Sequence, residues 1–281
     1  GIVFCTKDNQ EFCFKSLNTT LTPSYGVFAC EDKYLSYCLL KDAGVPTPET
    51  IVVSPNDSTD SAINFLQDKK RVVVKPVAGT HGDGVITDVG DNDTLDSAIE
   101  TARQAISMQP DVLVQEQVGG LEYRFLVLNG DVIAVAHREP AFVVGDGVKS
   151  ILELIEEKNA DPRRGDGHSS MFVTIDKNEV ISINSERFLE DIPNIGEIKH
   201  VLKVSNLSKG GESTNCTDVA SESLKQMAIK SAQVCHTNIA GVDIMTSDIS
   251  NGDSTNSHVI EINCSPGIRM HQFVSNGEPI D

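Results

Sequence analysis

A carboxylate and a carboxamide stand two residues apart at the end of an apolar run, Val259-Ile260-Glu261-Ile262-Asn263, which breaks at Cys264-Ser265-Pro266-Gly267. In a strand, side chains at i and i+2 share a face. Glu261 and Asn263 therefore point the same way, at a strand end that a Pro-Gly turn leaves open. Upstream, Gly241-Val242-Asp243-Ile244-Met245 offers a second carboxylate in a second short apolar run. Set side by side, the two runs present oxygen ligands for one or two Mg²⁺ ions, with the other coordination positions left to water and phosphate. An ordinary solvated strand end is the alternative reading of the same residues.

A second chemical feature follows the apolar run Val72-Val73-Val74. Lys75-Pro76-Val77-Ala78-Gly79-Thr80-His81-Gly82-Asp83-Gly84 holds three glycines close together behind a lysine. Such a loop can turn backbone N–H groups toward one point, which suits a polyphosphate, and Lys75 adds a fixed cation. It lacks Gly-Lys-Ser/Thr and is not a Walker loop; a glycine-rich turn is the competing reading. Further on, Glu116-Gln117-Val118 leaves another strand where a hinge would lie. Backbone groups there could read an adenine edge, with Glu122 placed for ribose hydroxyls.

The elements that must position these residues are legible in outline. Lys33 to Leu40 has helical spacing and stops at Ala43-Gly44-Val45-Pro46. Ser61 to Leu66 reads as a short helix and Arg71 to Val74 as a buried strand. Leu95, Ile99, Ala102 and Ile106 lie on one helix face behind Asp93-Thr94 as the capping signal. Val112 to Glu116 is a strand, and Tyr123 to Leu128 with Val132 to Ala136 flank Asn129-Gly130, a hairpin signal. Ile151 to Ile155 starts a helix, Lys158 to Ser170 reads as a polar loop, and Leu224, Met227, Ala228, Ser231 and Cys235 line a late helix. The pattern is α+β, with two lobes around a cleft and a boundary near Glu116 to Gly120.

Composition narrows the partners. A formal charge of −18 argues against a nucleic-acid backbone or an anionic membrane, and no apolar run reaches membrane-span length. Seven cysteines without a Cys-x-x-Cys pair fit neither a zinc site nor a disulfide framework. They read as small core residues of a cytoplasmic protein.

Taken in order, Asp32-Lys33, Val74-Lys75-Pro76, the 79–84 loop, Glu116-Gln117-Val118, Glu122, Asp243 and Glu261-Ile262-Asn263 resemble the ATP-grasp superfamily of carboxylate ligases. Tyr123 to Val127, Arg138-Glu139-Pro140-Ala141 with Gly145-Asp146-Gly147, Arg163-Arg164-Gly165-Asp166-Gly167-His168, Asn206 to Gly211 and Pro266 to His271 look like the ATP-grasp region of cyanophycin synthetases and bifunctional glutathione synthetases. The resemblance implies an ATP-grasp fold, two lobes each with an antiparallel sheet and helices, and ATP held between them. On that pattern 1–31 is a truncated N-terminal segment, 32–117 the small lobe, and 118–281 the large lobe with the metal site.

It also implies roles. Lys33, Lys75, Gly79, His81, Gly82 and Gly84 would hold the ATP phosphates, and Glu116, Gln117, Val118 and Glu122 the adenosine. Asp243, Glu261 and Asn263 would bind Mg²⁺, with Mn²⁺ as a substitute. Arg124, Arg138 and Arg269 would neutralise the transferred phosphoryl group, and Arg164, His168, Ser208 and His271 would contact substrate. For any single arginine a surface ion pair is the competing reading. The implied reaction joins a small-molecule carboxylate to an amine, both amino acids or short peptides, through an acyl phosphate, releasing ADP and phosphate. Homo-oligomerisation stays open.

Departures qualify the likeness. Only about thirty residues precede Asp32-Lys33, and neither a Mur-ligase-like domain nor a glutamate–cysteine ligase accompanies the ATP-grasp region. D-Ala–D-Ala ligases carry an arginine where this chain has Gly241. The rival expectation is a nucleotide-binding or truncated ATP-grasp module without turnover.

Overall fold

The computed structural model describes residues 3–7, 10–15, 18–19, 21–79, 82–106, 110–166 and 170–280. Three short antiparallel strands, β1 (Val3–Lys7), β2 (Gln10–Lys15) and β3 (Asn18–Thr19), precede helices α1 (Ser24–Glu31) and α2 (Lys33–Asp42). Helix α2 starts where the Asp32 carboxylate accepts the N–H groups of Tyr34 and Leu35, each at 2.9 Å, satisfying two donors that the first turn leaves unpaired. Gly44 at φ +68° follows its end, as the sequence predicts.

Next come β4 (Thr50–Val53), α3 (Asp60–Lys69), β5 (Val72–Pro76), β6 (Ile86–Val89), α4 (Asn92–Ala105) and β7 (Val112–Glu116), whose strands form one antiparallel sheet in the order β4-β7-β5-β6. Leu95, Ile99 and Ala102 of α4 pack with Leu66, Val72, Val74 and Val114 in its core. The cap of α4 is Asp91 rather than Asp93. Its carboxylate accepts from Thr94 N at 2.8 Å, and the Thr94 side chain returns a contact to the cap, closing a capping box. Ile106 falls just past the helix end.

Strands β8 (Leu121–Leu128) and β9 (Asp131–Glu139) follow, turned by Asn129 at φ +51° and Gly130 at φ +89°. Both central residues are left-handed, the conformation that makes Asn-Gly a hairpin signal. Beyond them lie β10 (Phe142–Val144), α5 (Ile151–Asn159), β11 (Arg164–Gly165), β12 (Phe172–Val173), α6 (Lys177–Ile183), α7 (Glu186–Glu190), β13 (Ile198–His200), a 3-10 turn (Leu207–Lys209) and β14 (Glu212–Asn215). The chain ends with α8 (Glu222–Val234), β15 (Ile239–Thr246), β16 (Ser257–Asn263) and α9 (Arg269–Gln272).

Two compact units result, Gly1–Val135 with Thr217–Gly267, and Ala136–Cys216 with Ile268–Asp281. In the first, β8 and β16 both pair antiparallel with β15, over buried Phe125, Val242, Ile244, Val259 and Leu224. In the second, the end of β9 pairs antiparallel with β14, and a separate core gathers Ile151, Ile155, Ile175, Val180 and Leu202. The architecture is α+β with antiparallel sheets, apart from the two-residue parallel pair β11–β12. Cys30, Cys216, Cys235 and Cys264 are buried free thiols, as expected of small core residues. No helix among the described residues is long and apolar enough to cross a membrane.

Of the segment read as a polar loop, 158–170, the described residues are partly built into the second unit. Helix α5 runs on to Asn159 and Arg164-Gly165 pairs with Phe172-Val173. The reason is a buried ion pair, invisible to hydrophobic periodicity: the Arg164 side chain is only 4% exposed and contacts Glu212.

Candidate active site

The first unit sets the candidate metal residues and Arg124 on one face of β8, β15 and β16. The register sets Asp243 of β15 opposite Glu261 of β16 on one side and opposite Arg124 of β8 on the other. Directly opposed residues share a face, so all three side chains meet, with Asn263 two residues beyond Glu261. Arg124 clasps Asp243 through both carboxylate oxygens, Nε to Oδ1 and Nη2 to Oδ2, the latter at 2.8 Å. Both residues are buried. Burial opposes the Arg124 charge, and Asp243 and Glu261 outweigh it, leaving the guanidinium above its ordinary value.

A bulge shapes the next contact. Asp243 pairs with Glu261 but Ile244 pairs with Val259, so Ile260 drops out of the ladder. Its carbonyl accepts from Lys75 Nζ at 3.4 Å, and Gln115 Oε1 accepts from the same ammonium at 2.9 Å. Lys75 is buried and its pKa is lowered to about 8, chiefly by desolvation; Glu261 and Asp243 work against that and Lys33 adds to it. Gln115 escaped the sequence reading. It is held in turn by donating to Thr50 Oγ1 at 2.8 Å, and the signal for it was one polar residue inside Val112-Leu113-Val114-Gln115.

Lys33 bridges the glycine loop and the carboxylates. Its Nζ donates to Gly79 O at 2.6 Å and lies 3.3 Å from Glu261 Oε1. Gly79, Gly82 and Gly84 have φ of +123°, +76° and +72°, a region side chains rarely enter. His81 lies outside the described residues. Backbone groups of the 116–118 segment are already engaged: the Glu116 and Gln117 amides donate to Glu49 O and Arg71 O, and the Gln117 side chain is tied to Asp88. A purine edge needing a backbone donor here would have to take it from Val118. Glu122 lies on β8 opposite Met245.

Among the described residues no three His, Cys, Asp or Glu side chains form a metal-binding group, so a site here must combine two carboxylates with the Asn263 carboxamide. All three are hard oxygen donors on one sheet face, which fits Mg²⁺ with water and phosphate completing its shell. Asn263 Nδ2 is buried without an acceptor. A phosphate oxygen would meet it.

The other described candidates belong to the second unit. Arg138 stands on β9 opposite Ser213. Arg164 donates to Val173 O at 2.8 Å besides its contact with Glu212. Arg269 Nη2 donates to Ser170 O, with its guanidinium 5.1 Å from the Phe273 ring centre. Ser208 sits in the 3-10 turn before Gly210, and His271 is buried in α9. His168 lies outside the described residues.

A family profile described as a RimK-like ATP-grasp domain matches residues 30–142 and 196–276. The cyanophycin synthetase of Trichormus variabilis is 34% identical over 272 residues, covering 94% of this chain and 30% of that protein. The bifunctional glutathione biosynthesis protein of Clostridium perfringens is 33% identical over 277 residues, covering 96% and 35%. The chain thus spans about a third of the length of these relatives. Among solved structures, a bifunctional glutathione synthetase from Pasteurella multocida superposes with a TM-score of 0.69 at 28% identity, over 99% of this chain and 38% of that one. A D-alanine–D-alanine ligase from Bacillus anthracis gives 0.56 at 17% identity, over 89% and 61%, a likeness of fold alone.

Proposed function

The chain belongs to the RimK-like ATP-grasp family, and on that premise we propose that it is an ATP- and Mg²⁺-dependent ligase joining a carboxylate to an amine. In this reading a substrate carboxylate oxygen attacks the γ-phosphorus of ATP and ADP leaves. The amine nitrogen then attacks the acyl carbon, phosphate departs, and the nitrogen loses a proton to complete the amide. The names of the relatives, a cyanophycin synthetase and a glutathione biosynthesis protein, favour amino acids or short peptides as substrates.

Each group has a task. Lys33 and Lys75 bind phosphate oxygens beneath the 79–84 loop, while Glu116 to Val118 and Glu122 hold adenosine. Asp243, Glu261 and Asn263 hold Mg²⁺ or Mn²⁺, which when bound neutralises phosphate charge as a Lewis acid. Arg124, Arg138 and Arg269 offset charge on the transferred phosphoryl group, and Arg164, His168, Ser208 and His271 contact the substrates. The small lobe is 32–117 and the large lobe 118–281. Such chemistry relies on positioning and charge neutralisation and needs no covalent nucleophile.

The observation that carries this reading is the Arg124–Asp243 pair beside Glu261. Desolvating two charges is expensive, so a buried ion pair is weak evidence of a stabilising role; placed on one face with a third charge, it is an electrostatic device. With ATP, Mg²⁺ and a panel of amino acids and dipeptides, hydroxylamine should trap an activated acid as its hydroxamate, with ADP as the nucleotide product. AMP and pyrophosphate would exclude the mechanism. Nucleotide binding without ADP release across the panel would favour a module without turnover.

A further inference from the structure

Gly241 sits inside β15, where glycine forfeits packing and adds entropy to the unfolded chain. Its backbone supplies no reason for it. Gly241 is absent from the left-handed positions of the chain and pairs regularly with Leu126 on β8 and Asn263 on β16.

The reason is space. A Cβ placed on Gly241 would lie 2.8 Å from Cδ and 3.0 Å from Nη1 of Arg124, and 2.9 Å from Cβ of Pro266. Carbon atoms in contact want about 3.5–4.0 Å. Arg124 stands opposite Asp243, two residues along the same strand. Its guanidinium therefore covers both positions, with the Nε and Nη2 edge on the Asp243 carboxylate and Nη1 over Gly241. Pro266 is a ring fixed in the chain, whereas the Arg124 arm can rotate, so a side chain at 241 displaces the arginine first.

We propose that Gly241 is a positioning residue: the bare strand position admits the Arg124 guanidinium flat against the face that carries Asp243, Glu261 and Asn263. The functional consequence rests on the reading of that face as the nucleotide and metal site. Arg124 is 6% exposed, so a displaced guanidinium has little water to turn to and loses a two-pronged contact of the stronger, charge-assisted kind.

The test is a pair of double-mutant cycles on the whole chain. In the first, binding of the non-hydrolysable analogue AMPPNP with Mg²⁺ is measured for the wild type, Gly241→Ala, Arg124→Ala and both together. Gly241→Ala should weaken binding by about tenfold or more, the worth of a charge-assisted hydrogen bond, and should add nothing once Arg124 is gone. In the second, unfolding midpoints are compared for the same substitutions in an Asp243→Asn background, so that removing Arg124 strands no buried carboxylate. Gly241→Ala should lower the midpoint there with Arg124 present and leave it unchanged or raise it with Arg124→Ala, since alanine is the better strand residue once the space is free. If Gly241→Ala alone does not fold, recovery of a cooperative transition on adding Arg124→Ala supports the same conclusion. Wild-type affinity in a folded Gly241→Ala overturns the proposal, as does a penalty that survives Arg124→Ala or is relieved only by Pro266→Ala. If the wild type itself fails to bind Mg²⁺ and AMPPNP, the nucleotide reading falls, and the midpoint cycle still decides whether Gly241 makes room for Arg124.

Discussion

The two units hold their buried charges in opposite ways. In the second, Glu212 is a hub that takes Lys158 at 2.7 Å together with Arg164, while Arg163 faces Asp161 at 2.7 Å. Lys158 also donates to Phe142 O at 2.7 Å and lies 3.8 Å above that ring. Lys158, Arg163 and Arg164 each have a carboxylate. In the first unit Arg124 and Lys33 have Asp243 and Glu261, and among the described residues the Lys75 ammonium donates to neutral oxygens of Gln115 and Ile260. Glu261 and Asp243 act on Lys75 through space but are paired with Lys33 and Arg124, so a bound anion would find that ammonium without a direct carboxylate contact among the described residues.

That contrast predicts unequal responses to substitution. Glu261→Ala should abolish turnover while the fold survives, because the side chain is 32% exposed and contributes little packing. Binding of ATP should also become insensitive to Mg²⁺. Full activity in this variant at saturating ATP would remove the metal assignment.

Arg124→Ala should show the next largest effect and should hit two properties at once. Loss of one preorganised charge on a developing anion lowers turnover by roughly 10²–10³. Leaving Asp243 buried and uncompensated destabilises the fold by about 3–5 kcal/mol, readable as a shifted denaturant midpoint. Lowered stability with unchanged turnover would mean that the pair is structural only.

Arg164→Ala probes the self-contained cluster. The apparent KM for the acceptor substrate should rise about tenfold, the worth of a contact to a charged group, with the KM for ATP little changed. An equal rise in both would mark a general folding defect and reduce Arg164 to a strut for Glu212.

How much of this could be read from sequence differs between the two regions for a physical reason. The oxygen set on β15 and β16 was legible because strand alternation puts Glu261 and Asn263 on one face, and Asn129-Gly130 marked its hairpin through backbone conformation alone. Pairing is a different matter. That Arg124 stops opposite Asp243 depends on the register between β8 and β15, which no local pattern states. The Ile260 bulge, the clearance at Gly241 and the support from Gln115 depend on that register or on contacts across the sheets. In the second unit Arg164 read as part of a polar loop because Glu212, its partner, lies far along the chain. The division into units was hidden for the same reason, since the first unit is left after Val135 and regained at Thr217.

The last expected effect is the most specific to the cluster that holds Lys75. Lys75 titrates at about 8 in the folded chain and near its ordinary 10.5 when unfolded. Between those values the unfolded chain binds more protons at this site than the folded one, so the Lys75 contribution to stability becomes more favourable as pH rises through that window. Below about 8 both forms are protonated and the buried charge carries its full desolvation penalty. The slope cannot exceed about 1.4 kcal/mol per pH unit, the value for one proton. Other groups titrate in the same range, so the quantity to measure is the difference in unfolding free energy between wild type and Lys75→Met from pH 7 to 10.5. It should move in favour of the wild type across that span, and saturating ATP should flatten the change by supplying the missing anion and holding Lys75 charged to higher pH. A difference that stays constant with pH would show that the Gln115 and Ile260 oxygens already satisfy the ammonium, and would erase the contrast between the two units.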